Sequence, residues 1–195
     1  MEKKSVVTPG RFAKGFTYAD YIAQIKVNKD QFDRFYAGCT LAADETRFFK
    51  KAAQAKGGIA RMLVLGEDWC PDVVRGLPAM ARIAEAAGVE LRMFPRDSNL
   101  DIMNEFLNQG KFMSIPVCVF FTKDLKEICR WIERPESANK ERAQIEAATR
   151  KEMPAASEQD LRLAMRERLA GKQPAWQKES IREMRQVLAE KLGIK

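Results

Sequence analysis

Four cysteines and no histidine define the chemistry open to this chain of 195 residues. Without imidazole there is no Ser-His-Asp triad, no Cys-His pair, no HExxH zinc site and no Cys/His zinc finger. What remains is thiol, carboxylate and guanidinium chemistry. Cys70 is the sharpest position, because it follows a Gly66-Glu67-Asp68-Trp69 turn and immediately precedes Pro71, a favoured first residue of a helix. A thiol at that place meets unpaired backbone N–H groups and the positive end of the helix dipole, both of which favour thiolate. Cys70 is therefore a candidate nucleophile, set against the alternative of a buried, inert cysteine. Glu67, Asp68 and Asp72 oppose a thiolate by like-charge repulsion, and Arg75, about one turn beyond Asp72, favours it. With no imidazole in the chain, any activation of Cys70 has to come from backbone dipoles, Arg75 or a partner. Cys39, Cys118 and Cys129 lack the short regular spacing of a disulfide framework or a metal site and read as reduced packing groups. No metal site and no resident cofactor is expected.

Three regions position these residues. Thr17 to Lys56 carries helical stripes: Tyr18, Tyr21, Ile22 and Ile25, then Phe32, Phe35 and Tyr36 ending at Gly38, then a helix capped by Thr40 with Leu41, Phe48 and Phe49. From Ile59 the period changes. Ile59 to Leu65 is a short apolar strand, Pro71 to Ala87 a helix with Pro78 inside it, and Val89 to Phe94 an alternating strand. Ser98 would cap a helix carrying Leu100, Met103, Phe106 and Leu107, after which Pro116 to Phe121 and Lys126 to Ile132 form a hairpin. Helical crossovers predict that the early strands run parallel, with the hairpin as an antiparallel edge, which makes an α/β sheet covered by helices. A helix over 136–151 follows. Ser157 to Leu192 then supplies two amphipathic helices separated by Gly171 and Pro174. The expected organisation is a helical extension over 1–56, a central domain over 57–153 and a second helical extension over 154–195.

Trp69-Cys70-Pro71-Asp72 at a strand-to-helix junction, followed by Ser114-Ile115-Pro116 opening a strand, resembles the thioredoxin superfamily. The phrases EDWCPDVVRGLP and RDSNLDIMNEFLNQGKFMSIPV are similar to a branch of bacterial thioredoxin-like proteins with a single-cysteine WCPDV motif and helical N- and C-terminal extensions. The resemblance implies a thioredoxin-like βαβαββα mixed sheet with flanking helices. It assigns a cis-proline role to Pro116 and makes Ile115 the residue whose backbone pairs with an extended substrate. Trp69 would be an exposed aromatic contact, and Trp131 core. Two departures stand out: Val73 occupies the position of the resolving cysteine, and Val64 that of the buried aspartate. A dithiol cycle needs a second thiol to release substrate from the mixed disulfide. The implied activity is monothiol exchange with a protein or low-molecular-weight thiol, with glutathione or another thiol as possible co-substrate and resolver. Resolution by Cys39 or Cys118 is a second route. A catalytically silent binding or assembly module is the alternative. Arg96-Asp97 reads as a salt bridge and cap in preference to a pocket for an anion or thiol partner. Glu133-Arg134-Pro135 is a further phrase shared with that branch.

Net charge is +7, yet the central 57–135 segment is almost neutral and the excess lies on the two flanks with signs interspersed at helical spacing. This reads as solvated helix faces and not as a phosphate-tracking surface. The longest apolar run, Ile115 to Phe121, falls far short of the roughly 20 residues that a membrane-spanning helix needs. MEKKSVVTPGR lacks the apolar stretch of a signal peptide, so the expected location is cytoplasmic. A homo-oligomer is left open.

Overall fold

A computed structural model describes residues 5–194. Four strands form one sheet in the order β2-β1-β3-β4: β1 Arg61–Gly66, β2 Glu90–Pro95, β3 Val117–Phe121 and β4 Glu127–Ile132. β1 pairs parallel to β2, while β3 runs antiparallel to both β1 and β4. The early strands β1 and β2 are parallel as expected, and the hairpin of β3 and β4 joins them antiparallel. The reason lies between β2 and β3. The predicted helix there shrinks to α6, Leu100–Met103, and neither it nor the irregular segment behind it carries the chain back along the sheet. The strand starts at the end where β2 stopped and returns in the opposite direction.

Nine helices are described. In the N-terminal part these are α1 Pro9–Phe12, α2 Tyr18–Gln24, α3 Lys29–Gly38 and α4 Ala43–Gln54. The central helix α5, Pro71–Ala87, has proline in its first turn and ends on Gly88 at φ 69°, a left-handed conformation that glycine adopts without a Cβ penalty. The chain closes with α7 Glu136–Glu152, α8 Glu158–Ala170 and α9 Gln173–Leu192. Two expected caps move. Thr40 lies outside α4, whose start at Ala42 is instead held by Glu45, its Oε2 accepting the Ala42 N–H at 2.8 Å. Asn99, not Ser98, flanks α6, and its side chain donates to the Pro95 carbonyl at 2.7 Å. Pro174 falls in the first turn of α9, where a missing N–H costs nothing, and does not separate the two helices.

All three sequence regions feed one apolar core. Phe12, Phe32 and Phe49 from the N-terminal helices, Leu63, Leu65 and Leu77 from the centre, and Ile181, Met184 and Leu188 from α9 belong to the same buried cluster. α3, α4 and α9 pack on α5, and α9 also packs on β4. The free edge of β2 is met by Phe16, whose N–H donates to the Met93 carbonyl at 2.9 Å while the Met93 N–H donates back at 2.8 Å. Trp131 is buried, as its placement on β4 predicts. Among the described residues no helix is long and apolar enough to cross a membrane.

Candidate functional site

The C-terminal ends of β1 and β2 and the start of β3 lie at one end of the sheet, since Gly66 pairs with Pro95 and Leu65 with Val117. Cys70 sits there as the residue preceding α5, with Pro71 in the first turn of that helix. The Ile115–Pro116 peptide is cis and enters the same corner. The Cys70 thiol donates to the Ile115 carbonyl at 3.7 Å. Gly76, one turn and a half into α5, lets the helix reach the proline: a Cβ there would lie 3.3 Å from Pro116 Cγ. Cys70 is 9% exposed, Ile115 and Pro116 are buried, and Trp69 is 51% exposed. The sequence thus brings Cys70, Ile115 and Pro116 together, with Trp69 on the rim.

Electrostatics at the thiol are set by opposed influences. Burial is the largest and raises the Cys70 pKa above its ordinary value of 9.0. The N–H of Val73 pulls it down, the Asp72 carboxylate pushes it up, and the Asp72 N–H and the Arg134 guanidinium pull it down again. The balance is upward, so Cys70 rests as a thiol and not as a thiolate. Its S–H toward Ile115 O fits that state, because a carbonyl oxygen stabilises a donor and repels an anion.

Asp72 is buried between two cations. Arg75 Nη2 stands 2.8 Å from Asp72 Oδ1, and Arg134 Nη2 stands 2.7 Å from Asp72 Oδ2 with Nε donating to the same oxygen at 2.9 Å. Arg134 also pairs with Glu133, whose own N–H donates to the Pro116 carbonyl at 2.7 Å. The start of α5, the cis-proline and the exit of β4 are thereby tied into one knot of charge and hydrogen bonds. Arg75 is fully buried. Its Nη1 donates to Gln173 Oε1 at 2.9 Å, its carbonyl accepts from Gln177 Nε2 at 2.9 Å, and its guanidinium lies 5.6 Å from the Trp176 ring centre. Arg75 is paired with Asp72 and held by α9, its charge and the Cys70 sulfur attract one another, and Arg134 adds a second cation that lowers the Cys70 pKa. Arg134 is the residue to which no role was assigned from sequence. Its only local signal was the Glu-Arg-Pro phrase after the last strand.

The turn ahead of Cys70 is gripped from the N-terminal side. Asp68 Oδ2 accepts the N–H groups of Lys26 at 2.8 Å and Val27 at 3.3 Å, and Asn28 Nδ2 donates to the Asp68 carbonyl at 2.9 Å. Glu67 accepts the Asp97 N–H at 2.7 Å. Arg96 pairs with Asp97 at 2.7 Å, as the sequence reading favoured, and it also lies 5.3 Å from the Trp69 ring centre while donating to the Met113 carbonyl at 3.2 Å.

Val64 and Val73 fill the places of the missing acid and the missing thiol with apolar side chains that are wholly buried. Val73 packs on the end of β1, where a Cβ added to Gly66 would meet Val73 Cγ1 at 2.8 Å. All four cysteines are free and buried. Burial lifts the Cys39 thiol to about 11, the Cys129 thiol to about 12 and the Cys118 thiol well above its ordinary value.

A cysteine ahead of a central helix, set against a cis-proline at the start of an antiparallel strand, on a mixed four-stranded sheet covered by helices, defines a thioredoxin-like protein. A family model described as thioredoxin matches residues 15–148, and the chain belongs to that family. Two solved structures share the architecture. A protein of unknown function from Pseudomonas aeruginosa aligns with TM-score 0.68 and 18% identity over 94% of this chain and 98% of its own. An HIV epitope-scaffold aligns with TM-score 0.63 and 16% identity over 94% and 98% of the two chains. Identities this low speak for the fold alone. No curated protein matches the sequence.

Proposed function

We propose that the chain is a monothiol thiol-disulfide exchange protein in which Cys70 forms a mixed disulfide with a protein or small thiol. The observation that carries this reading is the Cys70 thiol lying 3.7 Å from the Ile115 carbonyl beside the cis Ile115–Pro116 bond. That arrangement offers an extended substrate a backbone rim next to the attacking sulfur. Exposed Trp69 adds an apolar contact on the rim. Thiolate attack on a disulfide sulfur gives the Cys70 mixed disulfide and a released thiol, and an external thiol then regenerates Cys70, since Val73 leaves no partner in the helix turn. The raised Cys70 pKa makes the resting protein slow toward disulfides. Arg134, with the N–H groups of Val73 and Asp72, supports the thiolate once substrate binds. We place this exchange in the cytoplasm, where thiols are kept reduced.

The test is incubation with oxidised glutathione followed by intact-mass measurement. One glutathione adduct mapped to Cys70, absent in Cys70→Ser, is the expected result; no adduct on Cys70 after prolonged exposure at mildly alkaline pH would sink the reading. A second reading, a thioredoxin fold kept for binding alone, is favoured by one specific observation: Asp72, the acid next to the thiol, is locked between two arginines and its carboxylate disfavours the thiolate. A stable oligomer or captured partner that persists in Cys70→Ser, with no thiol adduct, supports it.

A further inference from the structure

A cavity of about 410 Å³ opens at the start of α5, with both chain neighbours of Cys70, Trp69 and Pro71, in its wall. The opposite wall is built from the two terminal extensions, Arg34 with Gln31 on α3 and Arg166 on α8. No carboxylate lines it. Neither Arg34 nor Arg166 has an ion-pair partner among the described residues, whereas Arg75, Arg96, Arg134, Arg150 and Arg168 all do. Two unpaired guanidinium groups, supplied by segments more than a hundred residues apart in sequence, thus face one space that is flanked by apolar Trp69 and Pro71. The volume is in the range of sites for small molecules and too small for a folded partner. Guanidinium groups prefer carboxylates, which they can engage through two parallel hydrogen bonds.

We propose that this cavity takes the carboxylate-bearing part of a small disulfide, Arg34 and Arg166 holding the carboxylates while a sulfur reaches Cys70. The proposal rests on the thiol-exchange reading and narrows its substrate from any thiol to a low-molecular-weight, anionic one. In the step itself the Cys70 S–H gives its proton to solvent and the thiolate attacks one sulfur of R–S–S–R. The Cys70–S–S–R bond forms as the R–S–S–R bond breaks, and the departing R–S⁻ takes up a proton. Cys70 is oxidised and one half of the small disulfide is reduced. A second R–S–H, attacking the R sulfur, restores Cys70 and re-forms R–S–S–R.

The experiment compares two disulfides on the full chain: oxidised glutathione, which carries carboxylates, and cystamine, which carries none. Rates of Cys70 adduct formation are read by intact mass for the natural protein, for Arg34→Gln with Arg166→Gln, and for Lys50→Gln as a charge control on α4. In the double variant the glutathione rate should fall about tenfold while the cystamine rate holds, the size expected for two charge-assisted contacts at a partly solvated site. An unchanged ratio of the two rates in the double variant overturns the proposal. If Cys70 reacts with neither disulfide, the exchange reading fails by itself, and the cavity is judged by calorimetric binding of S-methylglutathione, which cannot exchange. Binding that is lost in the double variant then supports an anion cavity; absence of binding to the natural protein refutes it.

Discussion

Cys70 is a thiol whose surroundings favour the proton, and this fixes how it should respond to pH. Because its pKa is raised above 9.0, alkylation by iodoacetamide should be slow at neutral pH, where less than about 1% is thiolate, and should climb through and beyond pH 9. Arg134 lowers the pKa, so Arg134→Gln should move the midpoint of that rate profile upward; a downward shift would contradict the assignment. Val73→Cys bears on the missing second thiol. It places a cysteine three positions after Cys70, in the first turn of α5, and mild oxidation should convert the pair to a disulfide detectable as the loss of two hydrogens in the intact mass. Replacing a wholly buried valine that packs on Gly66 should cost about 1 kcal/mol, measurable as a lower urea midpoint. The residues with chemistry were legible where their signal was local. Cys70 stood beside Pro71, and Ile115-Pro116 opened an apolar run. Arg134 was not legible as a site residue because its partner Asp72 lies 62 positions away, a pairing that only the fold creates.

At the scale of elements, α5 carries the site, and what lets it do so is its closeness to the cis-proline strand. Gly76→Val would drive branched methyl groups toward Pro116 Cγ, already 3.3 Å from where the Cβ must go. We expect a loss of about 1–3 kcal/mol in urea unfolding together with a changed Cys70 alkylation rate. Retained stability and an unchanged rate would show that the corner is looser than described. α5 was readable because its signals are short-range: Pro71 suits a first turn, Gly88 a left-handed stop, and the apolar residues between them keep the helical period. The direction of β3 against β1 has no local signal of its own. It depends on where the chain stands after an irregular stretch, and Asn108 to Ser114 is organised by its own turn contacts, such as the Asn108 N–H to the Phe112 carbonyl at 2.8 Å. The caps failed for a related reason. Thr40 and Ser98 have suitable side chains, but Glu45 accepts the Ala42 N–H at the start of α4, and α6 begins at Asn99 with no side-chain cap.

At the scale of the whole molecule, the ionisable groups buried in and around the main core set an alkaline limit. Burial raises the pKa values of Cys39, Cys118, Cys129, Tyr18 and Tyr21. In each case the folded chain keeps a proton that the unfolded chain gives up at 9.0 for cysteine or 10.0 for tyrosine. The unfolded state then binds fewer protons than the native state, so stability present below about pH 9 should fall as pH rises toward the folded values near 11 and 12. Urea midpoints at about pH 7 and pH 10.5 test this, and a flat profile would refute it.

The Arg75 carbonyl is held by Gln177, a residue 102 positions later in the chain, and its guanidinium by Gln173. A ribosome makes the thiol long before it makes the helix that closes over this arginine. Domains assemble as synthesis proceeds, so the nascent protein passes through a stage in which sheet, cis-proline corner and Cys70 are all outside the exit tunnel while α9 is still missing. During that interval Arg75 lacks the partners that Gln173, Trp176 and Gln177 give it in the finished molecule. α9 is thus the element that closes over the Arg75–Asp72 pair behind the site, and a chain stopped short of it would leave that buried arginine without Gln173 and Gln177.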